Sequence, residues 1–126
     1  MEQIILLKQQ EQSGLDPDIL EQLYYQLGDR YAEDIVCRAL EELAVRLSYT
    51  ARCHREDRMG DMRKSARSLT KIAEQIGMQG LTKVAADVVD CIDKGDSTGL
   101  AATAARLLRM GECSLCEIWD LQGLSI

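Results

Sequence analysis

The chain has 126 residues, a formal net charge of −6 and no phenylalanine, and aromatic residues make up 4% of it. This length suits one domain with a core of its own, so residues 1–126 are treated as a single domain. The acidic balance and the scarce aromatic residues disfavour nucleic acid as the main partner. The longest purely apolar run, Ile4–Leu7, is far too short to span a membrane. With a single proline and no long alternating run, the composition favours an all-helical chain.

The N-terminal segment, residues 1–14, is predicted to be an ordered arm or a short helix, and residues 15–121 are predicted to form a helical bundle. Its apolar run Ile4–Leu7 needs a cover, which either the bundle or a second subunit can supply. Glu2 stands where a signal peptide would carry positive charge. We therefore expect a cytoplasmic protein.

The first helix of the bundle is predicted to begin at Asp16-Pro17, with Asp16 at the N-cap and Pro17 at the first helical position. Gly28 ends it. Its apolar stripe consists of Leu20, Leu23, Tyr24 and Leu27.

The second helix is predicted from about Arg30 to about Ala51, with Asp29 as its cap. A charged loop from Arg52 to Glu56 follows and holds the only histidine, His54. The inward side of this helix is the aliphatic stripe Ile35, Val36, Ala39, Leu40, Leu43 and Leu47.

The central helix is predicted from Asp57, its cap, to Ile76, and Gly77 closes or bends it. Its apolar residues recur at steps of three and four, which indicates one buried stripe of an amphipathic helix. The members of that stripe are Met59, Met62, Ala66, Leu69, Ala73 and Ile76.

The opposite side of the central helix is basic. Arg63, Arg67 and Lys71 recur every four residues and therefore share one face, and Lys64 flanks it. Between Arg58 and Lys71 there are five basic residues and one acid, a local balance of +4 in a chain of −6. A basic ridge on an acidic protein indicates an acidic partner, although charged ridges are often only solvated helix faces.

Two more helices are predicted, from about Gly80 to Ile92 and from near Thr98 to as far as Leu121. The turn between them contains Gly95, with Asp96 or Ser97 as the next cap. Gly111 is expected to be a weak point in the last helix. The two apolar stripes are Leu81, Val84, Ala85, Val88 and Ile92, and then Leu100, Thr103 or Ala104, Leu107, Leu108, Leu115 and Ile118.

Four substantial helices joined by short loops predict an all-α, up-down-up-down four-helix bundle, with a short additional helix at the N-terminus. The predicted core is Leu40, Leu43, Met62, Ala66, Leu69, Ala73, Val84, Val88, Leu107 and Leu108.

The sequence offers little catalytic chemistry. It has no Gly-rich phosphate loop and no Glu-x-x-His pair for a di-iron bundle. Five cysteines without an export signal fit free thiols, with Cys37 and Cys91 in the core. Only Cys113-x-x-Cys116 has ligand-like spacing, and a structural zinc site would need two more ligands nearby. We expect no catalytic residues, no metal and no cofactor.

The stretch from Ser65 to Leu81 resembles the signature helix of histidine-containing phosphotransfer (HPt) domains. That family reads roughly Ala-His-x-Leu-Lys-Gly-x-Ala-x-x-x-Gly-x-x-x-Leu. The upstream helices from Leu15 and the Gly95-Asp96 turn also fit its layout, so the resemblance covers about residues 15–110. Its framework is matched in register by Ala66, Leu69, Ala73, Gly77 and Leu81.

The chain departs from this family at the reacting residues. The phosphoacceptor histidine falls on Arg67, the following lysine on Thr70 and a small glycine on Lys71. A guanidinium is always protonated and cannot act as the nucleophile. His54 is not expected to substitute, since 13 residues of continuous helix would separate it from Arg67 by about 20 Å.

HPt domains dock receiver domains through this helix face, and receivers present acidic residues around their phosphoacceptor aspartate. The resemblance therefore implies a bacterial two-component phosphorelay module that binds a response-regulator receiver domain or a histidine kinase without carrying phosphate. The alternative is a homo-oligomeric helical adaptor, whose apolar interface would be Ile4–Leu7 and Trp119–Ile126. A homodimer is compatible with both. The expected partner-binding residues are Arg63, Lys64, Arg67, Thr70 and Lys71, with Arg67 at the pseudo-phosphoacceptor position.

Overall fold

In the computed structural model the described residues are 16–121, and all regular structure within them is helical. The helices are α1 (Pro17–Leu27), α2 (Asp29–Arg55), α3 (Met59–Gln75), α4 (Gln79–Lys94) and α5 (Ser97–Leu121). The all-α class is therefore confirmed over these residues. The predicted N-terminal arm with Ile4–Leu7 lies outside the described residues, and so do residues 122–126 of the predicted apolar C-terminal segment. No helix in the described range is both long and apolar enough to cross a membrane.

Helices α2 to α5 pack in the order of the chain, each against the next, and α2 also packs against α5. Ser65, early in α3, meets Thr50 near the end of α2, and Arg63 meets Asp93 near the end of α4. Helix α1 packs on α2 and is tied to the α3–α4 connection, where the Asp16 amide donates to the Gly77 carbonyl at 2.7 Å. Helix α3 is thus held between α2 and α4, with its third side left to solvent.

The three turns that join helices α2, α3, α4 and α5 share one backbone arrangement. At each helix end a residue with positive φ follows the last turn: Asp57 at 56°, Gly77 at 78° and Gly95 at 67°. The next amide then donates back to a carbonyl of the finished helix, from Arg58 to Cys53 at 2.8 Å in the first turn. This is the Schellman arrangement, which satisfies the carbonyls left free at a helix C-terminus.

Two predicted caps are wrong for a related reason. Asp57 was expected to cap α3, but its left-handed backbone closes α2 instead, and Arg58 precedes α3 without a side-chain cap. Asp29 was expected to cap α2, but it is the first helical residue after Gly28. The caps at Asp16 and Asp96 are confirmed, since Asp16 accepts from the Asp18 amide at 3.0 Å and Asp96 from the Gly99 amide at 2.9 Å.

The core lies between α2, α3, α4 and α5, with Leu20 of α1 against it. Nine of the ten predicted core residues are buried, and Leu108 is the exception at 36% exposure. Leu107 and Leu108 are adjacent in α5, so their side chains point about 100° apart. Only one can face the core, and Leu107 does so at 2% exposure.

Gly111 is a close-packing position in α5, where a weak point was expected. The helix is continuous through it. A Cβ placed on Gly111 would lie 2.5 Å from Cδ1 of Leu47 in α2. The missing side chain is therefore what lets α5 approach α2 at this level.

Candidate partner-binding ridge on α3

The ridge is the solvent side of α3, made of Arg63, Lys64, Arg67, Thr70 and Lys71. It faces outward because the opposite side of α3 is buried in the core. There the exposed fraction is 0% for Met62, Ala66, Leu69 and Ala73. Lys64, Arg67 and Lys71 are exposed, as expected. Within residues 16–121 none of these three side chains forms an ion pair. They are the part of the ridge that can meet another molecule without breaking an existing bond.

Arg63 differs from the other cations of the ridge. It was expected to face solvent, and its side chain is 38% exposed, but it is also held by Asp93 of α4. Its Nε donates to Asp93 Oδ1 at 2.7 Å and its Nη2 to Asp93 Oδ2 at 3.1 Å. This two-point geometry is the strong form of an arginine–carboxylate pair. The sequence did not indicate this pairing, which arises because the packing of α4 brings a carboxylate beside Arg63.

Asp93 lies within the electrostatic reach of two ridge arginines. Its pKa is below the ordinary aspartate value, chiefly because Arg63 donates hydrogen bonds to the carboxylate, with a smaller attraction from Arg67. The pKa of Arg63 is correspondingly raised by the hydrogen bond to Asp93. Asp93 thus provides, from within the chain, the kind of anion that the ridge attracts.

Arg58 does not belong to the open ridge either. Its guanidinium contacts Asp61 Oδ2 at 2.6 Å and Glu56 Oε1 at 3.4 Å, and it lies over the Tyr49 ring at 5.9 Å from the centroid. Two of the five basic residues counted in the sequence are therefore paired, since Arg58 is held at the α2–α3 corner and Arg63 by α4. Over the part of the chain that the structure describes, the unpaired positive charge of the ridge rests on Lys64, Arg67 and Lys71.

Thr70 is half-buried and its hydroxyl is already used. Its Oγ1 donates to the Ala66 carbonyl one turn earlier at 3.1 Å. Threonine hydroxyls often bond back in this way inside helices. Thr70 lies two turns after Arg63 on the same face of α3, and its hydroxyl proton is donated to the helix backbone.

His54 lies in the last turn of α2, because that helix extends to Arg55 and the predicted loop is part of it. The distance expected along one continuous helix does not apply, since the chain reverses between α2 and α3. Thr50 is level with Ser65, so His54, one turn further on, lies level with the first turn of α3 and Arg67 lies in the next turns. His54 is half-buried at the bundle end, away from the centre of the ridge.

The cysteines are all free thiols. Cys53 is the fully buried one, and Cys37 and Cys91, which were expected in the core, are half-buried. Burial raises the pKa of the Cys113 thiol, with further contributions from Glu117 and Cys116, which disfavours a reactive thiolate. Among the described residues no three metal-ligating side chains are grouped.

Asp93 is the residue that analysis of the sequence missed. No local pattern marks it, since it is 30 positions from Arg63. The predicted turn between α3 and α4 was the available signal. Residues 63 and 93 are equally far from Met78 in the chain, so two antiparallel helices joined there would bring them to the same level. The pairing of charges across the α3–α4 contact could have been inferred from that symmetry.

Comparisons with known proteins do not name a family for this arrangement: no family model, curated protein or solved structure matches the chain.

Proposed function

We propose that this chain is an HPt-like module of a bacterial two-component phosphorelay that binds a receiver domain or a histidine kinase and does not carry phosphate. In this proposal α2 to α5 form the up-down-up-down bundle of that family and the protein works in the cytoplasm. The observation that carries the proposal is the place of Arg67. The residue in register with the phosphoacceptor histidine is exposed at the middle of the solvent side of α3, beside Lys64 and Lys71, which form no ion pair within residues 16–121.

The chemistry of the site supports binding over transfer. A phosphoacceptor must offer a neutral nitrogen with a free electron pair, and a guanidinium offers only donors. The same guanidinium can donate two parallel hydrogen bonds to a carboxylate or a phosphoryl group. An acidic receiver pocket would therefore be held by Arg67, and its phosphoryl group would have no acceptor on this helix face.

The test of binding is a titration of candidate receiver domains against the wild type, Arg67→Ala and Arg67→Glu at low and high salt. We expect Arg67→Glu to weaken binding more than Arg67→Ala, because it adds repulsion to the lost attraction. Salt should weaken wild-type binding, since screening shortens the electrostatic reach to about 8 Å at physiological ionic strength. Arg106→Glu is the matched control, because Arg106 is an exposed cation of α5 away from the ridge. Equal binding by all four proteins at both salt levels would leave the ridge as a solvated face and favour the oligomeric adaptor.

The test of chemistry is incubation with a phosphorylated receiver, or with an active kinase and ATP. We expect no acid-labile phosphohistidine, because position 67 has no imidazole and His54 lies at the bundle end. His54→Gln is the control. Label that appears on the wild type and disappears in His54→Gln would show that the relay reaction takes place at another position.

A further inference from the structure

The ion pair between Arg63 and Asp93 lies at the edge of the ridge, where α3 meets α4. Arg63 donates to both carboxylate oxygens of Asp93, from Nε at 2.7 Å and from Nη2 at 3.1 Å. A partner's carboxylate would use the same two donors, because this parallel geometry is how a guanidinium group recognises a carboxylate. Asp93 therefore takes the position on Arg63 that an acidic partner would need.

The charge of Asp93 also acts on Arg67. The pKa of Asp93 is below its ordinary value, first because of the hydrogen bonds from Arg63 and to a lesser degree because of the attraction of Arg67. That attraction is mutual, so the carboxylate offsets part of the positive potential at Arg67. An incoming acidic group therefore meets a like charge beside Arg67 as well as donors on Arg63 that are already used.

The contact between Arg63 and Asp93 can be exchanged. Both side chains are partly exposed, Arg63 at 38% and Asp93 at 49%, and an exposed ion pair contributes little to stability. Asp90, one turn earlier in α4, is held by Lys94 at 2.9 Å. Within residues 16–121 the Arg63–Asp93 pair is thus the one ion pair that joins the ridge to another helix. A stronger competing anion can replace Asp93 without disturbing the core.

We propose that Asp93 is an internal competitor that restricts which acidic partners the ridge accepts. It holds Arg63 until the acidic pocket of a receiver supplies carboxylates that bind this guanidinium better than Asp93 does. A single exposed carboxylate gains little by the exchange, because one pair is broken for each similar pair formed. A pocket with several carboxylates gains more, since it also meets Lys64 and Arg67, which form no ion pair within the described range. This inference deepens the proposed function and rests on it.

The first experiment needs no partner. Phenylglyoxal, which modifies accessible guanidinium groups, is applied to the full-length chain, and mass spectrometry compares the rate at Arg63 with the rate at exposed Arg106 in the same sample. We expect the relative rate at Arg63 to rise about two- to fivefold in Asp93→Asn, because an exposed ion pair is lost. Asp90→Asn is the matched control and should leave it unchanged. An unchanged relative rate in Asp93→Asn would overturn the proposal, whether or not a receiver binds.

The second experiment titrates candidate receiver domains against the wild type, Asp93→Asn, Asp90→Asn and the double variant Arg63→Ala/Asp93→Asn. We expect Asp93→Asn to bind about two- to fivefold more tightly than the wild type, because the competing exposed pair is removed. Asp90→Asn changes the net charge by the same amount, through a carboxylate held by Lys94, and should bind like the wild type. The double variant should lose the gain, because the released guanidinium is absent.

The outcomes separate this inference from the proposed function. No gain in Asp93→Asn, or an equal gain in Asp90→Asn, would show that Asp93 does not compete for the ridge. A gain retained in the double variant would mean that Asp93 acts on Arg67 alone. Each of these results overturns the inference while receivers still bind, so the proposed function stands. If no receiver binds any of the four proteins, the proposed function fails and this inference fails with it.

Discussion

The two sides of α3 differ in how firmly the rest of the molecule holds them. On the inner side Met62, Ala66, Leu69 and Ala73 are completely buried. On the outer side only Arg63 is tied to another helix, and Lys64, Arg67 and Lys71 are exposed and unpaired within the described residues. The inner side therefore determines where α3 lies. The outer side can change its charges without changing the fold, which is what a binding surface needs.

The largest expected effect on stability comes from creating a cavity on the inner side of α3. Leu69→Ala should lower the free energy of unfolding by about 2–5 kcal/mol, because it removes buried methyl groups and leaves a cavity. Leu108→Ala is the control, since that leucine is one-third exposed. Urea denaturation of both variants measures the difference. Equal losses at the two positions would mean that the inner side of α3 is less tightly packed than its burial indicates.

The next effect concerns two buried hydroxyls at the α2–α3 boundary, Thr50 and Ser65, which contact each other and the same Arg46 carbonyl. Thr50 Oγ1 donates to the Arg46 carbonyl at 2.7 Å and lies 2.7 Å from Ser65 Oγ, and both side chains are buried. Thr50→Val and Ser65→Ala should each cost about 0.5–1.5 kcal/mol, because the remaining hydroxyl loses one of its two partners and keeps the Arg46 carbonyl. The double variant should cost less than the sum of the two.

A double-mutant cycle by chemical denaturation measures that coupling. Thr98→Ala, at an exposed hydroxyl in the first turn of α5, is the control and should change stability little. Strict additivity of Thr50→Val and Ser65→Ala would contradict a shared hydrogen bond.

Asp93→Asn tests the ion pair with Arg63 that ties the outer side of α3 to α4. It should leave the stability nearly unchanged, since exposed ion pairs contribute little. It should strengthen the binding of an acidic receiver, because Arg63 is released and the ridge gains one unit of positive charge. Asp90→Asn is the control. Asp90 pairs with Lys94 at 2.9 Å and does not contact the ridge. Weaker binding in Asp93→Asn than in Asp90→Asn would show that the pair positions Arg63 for the partner.

The same pair has a defined pH dependence. The pKa of Asp93 is lower in the folded chain than its ordinary value because of Arg63. Its contribution to stability is therefore complete above the ordinary aspartate range and is lost as the pH falls through the lowered folded value. The small difference in stability between wild type and Asp93→Asn should therefore vanish at the acid end, and a difference that persisted there would rule out this pair as its cause.

The smallest expected change in stability is at Arg67. Arg67→Ala and Arg67→Glu should both stay within about 0.5 kcal/mol of the wild type, because the side chain is exposed and forms no ion pair within the described residues. Thermal unfolding measures this directly. A large loss in either variant would place Arg67 in the structural framework, and the binding comparison would then need another residue.

Local signals in the sequence predicted the helices and most of their buried stripes. The steps of three and four in α3 follow from the helical repeat, and the stripe from Met62 to Ala73 is buried as they indicate. Such a pattern cannot choose between neighbours of equal character, which is why Leu108 was placed in the core with Leu107. Helix ends were also less certain. Asp57 has a side chain typical of an N-cap, yet it adopts a left-handed backbone conformation in the turn that ends α2.

The sequence by itself determined that the chain is helical, which side of α3 is apolar and that position 67 carries an arginine. Those properties depend on residues one to four positions apart, whose relative direction the helix repeat sets. Only the tertiary structure decided which charges remain available. The packing of α4 against α3 brought Asp93 to Arg63, while within the described residues Lys64, Arg67 and Lys71 were left without an ion pair. The pair of Arg58 with Asp61, three residues later, is local. An ion pair requires two groups within a few ångströms, and that distance depends on how the helices pack as well as on the order of the residues.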